Sequence, residues 1–70
     1  MYNLSKYTEF GLTVKAELLR RGLDQNWLIT AVHEKTNLFV DSAYLYKIFT
    51  GRRAAPKIVQ AISEILDIPT

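Results

Sequence analysis

The sequence predicts an all-α domain of four to five helices that occupies residues 1–70 as a single unit. Apolar residues recur along it at spacings of three and four, the period of a helix with one buried face. Asp24 and Asp41 are residues that begin helices, and Gly22 and Gly51 are residues that end them. Hydrophobic residues make up 49% of the 70 residues, which is enough for one small core.

Helix one is predicted between Ser5, a candidate N-cap, and Gly22. Its apolar face comprises Tyr7, Phe10, Val14 and Leu18, at spacings of three, four and four. The interior Gly11 lowers helix stability by up to about 1 kcal/mol relative to Ala, so an effective start near Thr8 is the alternative.

Helix two is predicted over residues 25–35, capped by Asp24, with Leu28, Ala31 and Val32 facing inward. It should stop at Asn37, which tolerates a left-handed backbone. An extended turn, residues 34–40, then leads to helix three. We expect this turn to be ordered, with its apolar residues 38–40 packed, because an exposed apolar run is unusual on a soluble monomer. It would pack on helix three or extend helix two.

Helix three is predicted between Asp41 and Gly51, and a fourth helix starts at Pro56. The fourth helix carries an apolar stripe formed by Ile58, Ala61, Ile62, Ile65 and Leu66. Helix three buries Leu45, Ile48 and Phe49, and its other face carries Ser42, Ala43, Tyr44, Tyr46 and Lys47, with Arg52 and Arg53 at its exit. The predicted core comprises Phe10, Val14, Leu18, Leu28, Val32, Leu45, Ile48, Ile58, Ile62 and Ile65.

Size and composition argue against several functions. A chain of 70 residues is too small for a deep catalytic cleft, so we expect no enzyme, no small-molecule substrate and no cofactor. Because the chain has a single histidine, His33, and no cysteine, we expect no metal site. No apolar run has the length of a membrane span, and nothing indicates secretion, so the expected location is cytoplasmic. Residues 41–57 hold four cations against Asp41 alone.

The order of these features resembles the helix-turn-helix of the lambda-repressor-like, or Xre, family. The resemblance rests on residues 23–25, the capped helix at 40–48, the Gly51-Arg52-Arg53 exit ahead of Pro56 and the final helix to Pro69, about two-thirds of the chain. The segment from Leu23 to Gly51 is about six residues longer than the family pattern, which expands the turn before helix three. These features resemble those of small regulators of temperate phages, including Cro-like proteins and modulators of repression.

The resemblance implies a role for each matching residue. Gln25, at the start of helix two, would contact a DNA phosphate, and so would Arg52 and Arg53. Four residues would face the major groove, where Lys47 suits guanine and Ala43 suits a thymine methyl. This group is Ser42, Ala43, Tyr44 and Lys47.

Two functions remain open from the sequence. The first is a transcriptional regulator that contacts operator DNA, with a homodimer as its possible binding form. The second is a modulator, or antirepressor, that binds a phage repressor protein through an aromatic surface containing Tyr44 and Tyr46. Trp27 lies off the buried stripe of helix two, so it is either a half-buried core residue or an exposed anchor for a partner.

Overall fold

The chain folds into four helices and no strand within residues 6–69, the part that this computed structural model describes. The helices are α1 (Glu9–Arg21), α2 (Gln25–Thr36), α3 (Ser42–Phe49) and α4 (Pro56–Leu66). α2 packs along α4, while α1 contacts both α3 and α4. The prediction of an all-α fold is therefore confirmed.

The start of α1 is set by Thr8. Its hydroxyl accepts a hydrogen bond from the Gly11 amide at 3.0 Å, which satisfies one of the free donors of the first turn. The predicted alternative start near Thr8 is the one observed, and Ser5 lies outside the described residues. α1 ends as predicted at Gly22, whose φ of 70° is left-handed.

α2 begins and ends within one residue of the prediction. The Asp24 carboxylate accepts from the Trp27 amide at 2.8 Å, and Asn37 has a left-handed φ of 65° directly after Thr36. Residues 34–36 thus extend α2, and the connector to α3 is the shorter segment 37–41.

The prediction that residues 38–40 are all packed is wrong for two of them. Phe39 is 83% exposed and Leu38 is 41% exposed, whereas Val40 is buried. Val40 precedes the Asp41 cap and shares the core with Leu45, the arrangement of a hydrophobic staple. Successive side chains of extended backbone point in opposite directions, so inward placement of Val40 favours outward placement of its neighbour.

The core lies where the four helices meet. Its buried side chains are Val14, Leu18, Leu28, Val32, Val40, Leu45, Ile48, Phe49, Ile58, Ala61, Ile62 and Leu66. Two residues of the predicted core, Phe10 and Ile65, are only partly buried and pack against its edge. None of the helices in the described range has the length and apolar character that crossing a membrane requires.

A close contact fixes α3 against the start of α1. The backbone amide and the hydroxyl of Thr8 both donate to the Phe49 carbonyl, at 2.8 and 3.0 Å. A Cβ at Gly11 would lie 2.5 Å from that same oxygen. Gly11 therefore permits the approach of two backbones, a role that its helix propensity does not indicate.

Candidate interface on helix α3

α3 is held at both ends by local hydrogen bonds. At its start, the Asp41 carboxylate accepts from the Tyr44 amide at 2.7 Å. At its end, Gly51 has a left-handed φ of 77°, and its amide donates to the Ile48 carbonyl at 3.1 Å. Both predicted caps are confirmed, and they set where α3 begins and ends.

The chain after α3 folds back over that helix. The amides of Arg52 and Arg53 both donate to the Lys47 carbonyl, at 2.8 and 3.2 Å. This turn places the Arg53 guanidinium over the Tyr44 ring, 5.2 Å from its centroid. A cation above an aromatic face is attracted by the electron density of the ring. The exit loop is thus attached to α3, and Arg53 has a defined position.

A groove of about 450 Å³ runs along this exposed face. Its lining combines aromatic rings, two cations and one carboxylate, namely Phe39, Val40, Asp41, Ala43, Tyr44, Lys47 and Arg53. The carboxylate belongs to Asp41, which already accepts the Tyr44 amide. The cations Lys47 and Arg53 are both exposed. The groove therefore carries a net positive charge, and apolar side chains line it beside the two cations.

Only part of the predicted site comes together in this groove. Ala43, Tyr44, Lys47 and Arg53 line it, whereas Ser42 and Arg52 are exposed nearby in sequence but do not line it. Tyr46 is half-buried, and its ring packs at 87° against Tyr7 with centroids 6.0 Å apart. An internal ring contact makes Tyr46 a less available anchor than Tyr44.

Two further predicted residues lie away from the groove. Gln25 is half-buried and lines a different, apolar groove together with Leu19 and Phe49. Trp27 is 40% exposed, so the structure leaves both of its predicted roles open. The described contacts do not join either residue to the α3 groove.

Phe39 is the surface residue that the sequence interpretation missed. Its ring stacks on His33, with centroids 4.1 Å apart and an angle of 27° between the planes. One face of the ring is therefore supported by His33, and the side chain remains largely exposed. The sequence does contain a signal for this exposure. Val40 directly precedes the Asp41 cap, where an apolar residue usually packs inward, so Phe39 beside it is expected to point outward.

The imidazole of His33 has a local structural environment. Its Nδ1 lies 3.3 Å from the Leu38 carbonyl, and its ring supports Phe39. Residues 6–69 contain no group of three or more His, Cys, Asp or Glu side chains placed to hold a metal ion.

Comparison with known proteins gives no match to this chain among family models, curated proteins or solved structures. The geometry of the α3 surface is therefore the basis for proposing a function.

Proposed function

We propose that this chain is a small helix-turn-helix transcriptional regulator that contacts operator DNA with the exposed face of α3. The observation that carries the proposal is the pairing of Lys47 and Arg53 along one groove whose sole carboxylate is engaged as a helix cap. Nucleic acid attracts clustered cations through its phosphates, and a capped helix presents side chains to base edges. The proposal makes the chain a binding protein with no catalytic role.

Each residue has a proposed part in this contact. Arg52 and Arg53 bind phosphates at the exit of α3, and Lys47 donates to guanine in the major groove. Ala43 suits contact with a thymine methyl, because it is small and exposed beside Lys47. Ser42, in the first turn of α3, donates to either a base edge or a phosphate.

A titration of DNA from the chain's own control region, repeated across salt concentrations, tests the proposal. Arg52→Ala should weaken binding to all sequences and reduce the salt slope by about one unit. Lys47→Ala should mainly relax base preference. Lys35→Ala is the charge control, because Lys35 lies in α2, outside α3 and its exit loop, and pairs with Glu64 at 3.1 Å. Equal effects of Lys35→Ala and Arg52→Ala would contradict a localised DNA contact.

A second candidate function has its own supporting observation, the exposure of Phe39 beside Tyr44 at the groove. Aromatic side chains are common anchors of protein interfaces, and Phe39 presents most of its surface to solvent. In this alternative the chain is a modulator that binds a repressor protein. Phe39→Ala or Tyr44→Ala should then weaken repressor binding by about 2 kcal/mol or more, while Arg52→Ala mainly slows association.

The variants separate the two functions when both partners are tested. Arg53 is a poor discriminator, because its removal also uncovers the Tyr44 ring. Arg52 makes no such ring contact within residues 6–69 and is the better charge variant. Loss of DNA binding in Arg52→Ala supports the first function. Repressor binding that depends on Phe39 but not on Arg52 supports the second, and binding to neither partner defeats both.

A further inference from the structure

α1 has a second apolar stripe, on the side opposite its core contacts. Leu12, Ala16 and Leu19 follow at spacings of four and three; Ala16 and Leu19 are exposed and Leu12 is half-buried. Leu23, just past the helix, packs against the core and lines the groove beside this stripe. Leu19 is 82% exposed, and the stripe borders an apolar groove of about 560 Å³. Single exposed apolar residues are common, but a line of them at helical spacing forms a contact face.

We infer that this stripe binds a second copy of the chain, with the two α1 helices antiparallel about a two-fold axis. In a two-fold interface, each contact between a residue of one copy and a residue of the other occurs a second time with the two copies exchanged. Placing the axis near Ala16 sets Leu12 opposite Leu19 of the partner subunit, and Leu19 opposite Leu12 of the partner subunit. Leu19, which is 82% exposed in the single chain, is thus covered in both copies.

The charges beside the stripe favour the antiparallel orientation. Glu9 lies in the first turn of α1 and Arg20 in the last, about three turns apart along the same edge of the stripe. In an antiparallel pair, the first turn of one helix lies beside the last turn of the other, so Glu9 faces the opposite charge of Arg20. The two helix macrodipoles are also antiparallel in this arrangement, which is favourable, whereas a parallel pair would align them.

Lys15 lies at the other edge of the stripe, and its ammonium group is directed towards Tyr7. The Lys15 ammonium lies over the Tyr7 ring, 5.1 Å from its centroid, while Lys15 also lines the groove. A lysine can bury its methylene stem and keep its charge at the edge of a contact. Lys15 therefore adds apolar surface near the axis without placing its charge in the contact.

This interface is separate from the proposed function. The groove beside α1 and the groove on α3 share no lining residue, and self-association is measured without DNA or a repressor. Failure of one proposal therefore leaves the other standing. If both hold, the dimer supplies two α3 surfaces, which raises affinity for a paired operator.

Analytical ultracentrifugation of the chain from about 1 μM to about 1 mM tests the inference. The expected result is a monomer–dimer equilibrium that Leu19→Ser weakens by roughly 100-fold, since each dimer loses two buried leucines. Phe39→Ser is the matched control, because it removes an equally exposed apolar side chain elsewhere. A wild-type chain that stays monomeric, or equal weakening by both variants, would overturn the inference.

A charge exchange tests the orientation. Arg20→Glu alone should weaken the dimer, because it sets two carboxylates against each other at both ends of the pair. Combining it with Glu9→Arg should recover most of the lost affinity. Circular dichroism of each variant checks that α1 is still helical, since Arg20 also pairs with Glu17. A folded double variant that dimerises no better than Arg20→Glu would overturn the antiparallel arrangement.

Discussion

Replacing Gly11 with alanine should destabilise the protein, although alanine is the better helix former. The added Cβ would lie 2.5 Å from the Phe49 carbonyl oxygen, 2.8 Å from Phe49 Cβ and 3.0 Å from Phe49 Cα. Two of these atoms belong to backbone, which cannot rotate away as a side chain can. Relief of the contact therefore requires α1 and the end of α3 to move apart.

The size of the effect follows from opposing contributions. Alanine improves helix propensity by about 1 kcal/mol. Overpacking of a close contact costs about 1 to 3 kcal/mol. Separation also weakens the two hydrogen bonds from Thr8 to the Phe49 carbonyl, each worth about 1 kcal/mol. We expect a net loss of about 1 to 3 kcal/mol in the free energy of unfolding.

Urea unfolding followed by circular dichroism measures this loss. Ala16→Gly, at an exposed position of the same helix, is the control, and in dilute solution it should lower stability by about 1 kcal/mol through propensity alone. A Gly11→Ala protein that is more stable than the parent would refute the close approach of α1 to α3.

Three further predictions concern core packing, helix capping and pH. Leu45→Ala removes a fully buried side chain and should lower the free energy of unfolding by about 2 to 5 kcal/mol, so a parent-like melting curve would show that α3 faces the other way. Asp41→Ala should cost about 1 kcal/mol in urea unfolding, and Asp41→Asn much less, because asparagine still accepts the Tyr44 amide. The guanidinium groups of Arg20 and then Arg21 lower the pKa of Glu17 from 4.5 to about 2. The ionised Glu17 carboxylate therefore contributes its full stabilisation of the folded state above pH 4.5, and this contribution is lost as the pH falls towards 2. An NMR titration of Glu17 with its midpoint near 4.5 would contradict this.

The helices could be predicted from the sequence because their boundaries are local. Asp24 and Asp41 cap the following helices with their own side chains, and Gly22 and Gly51 take left-handed backbone conformations. These effects depend on a few neighbouring residues, so the sequence contains them directly. The stripe that buries Leu45 likewise follows from periodicity.

The features that were missed depend on tertiary contacts. From the sequence, Gly11 was expected only to lower the stability of helix one, because the sequence does not show that the Phe49 backbone passes beside it. Phe39 was expected to pack because it is apolar, but Val40 takes the position that reaches the core. The candidate site was predicted in part for the same reason. The position of Lys47 on α3 follows from helical period, whereas the placement of Arg53 over Tyr44 depends on the turn at the helix exit.

Amide NMR of the ¹⁵N-labelled chain, titrated with DNA from its own control region and then with the proposed repressor partner, tests the central claim most directly. The claim is that the α3 face is the contact surface for the regulatory partner. We predict that the largest shift changes fall within residues 39–53, where the groove and the exit loop lie, and that salt reverses those caused by DNA. Shift changes confined to α2 and α4, with residues 39–53 unaffected by either partner, would contradict the claim.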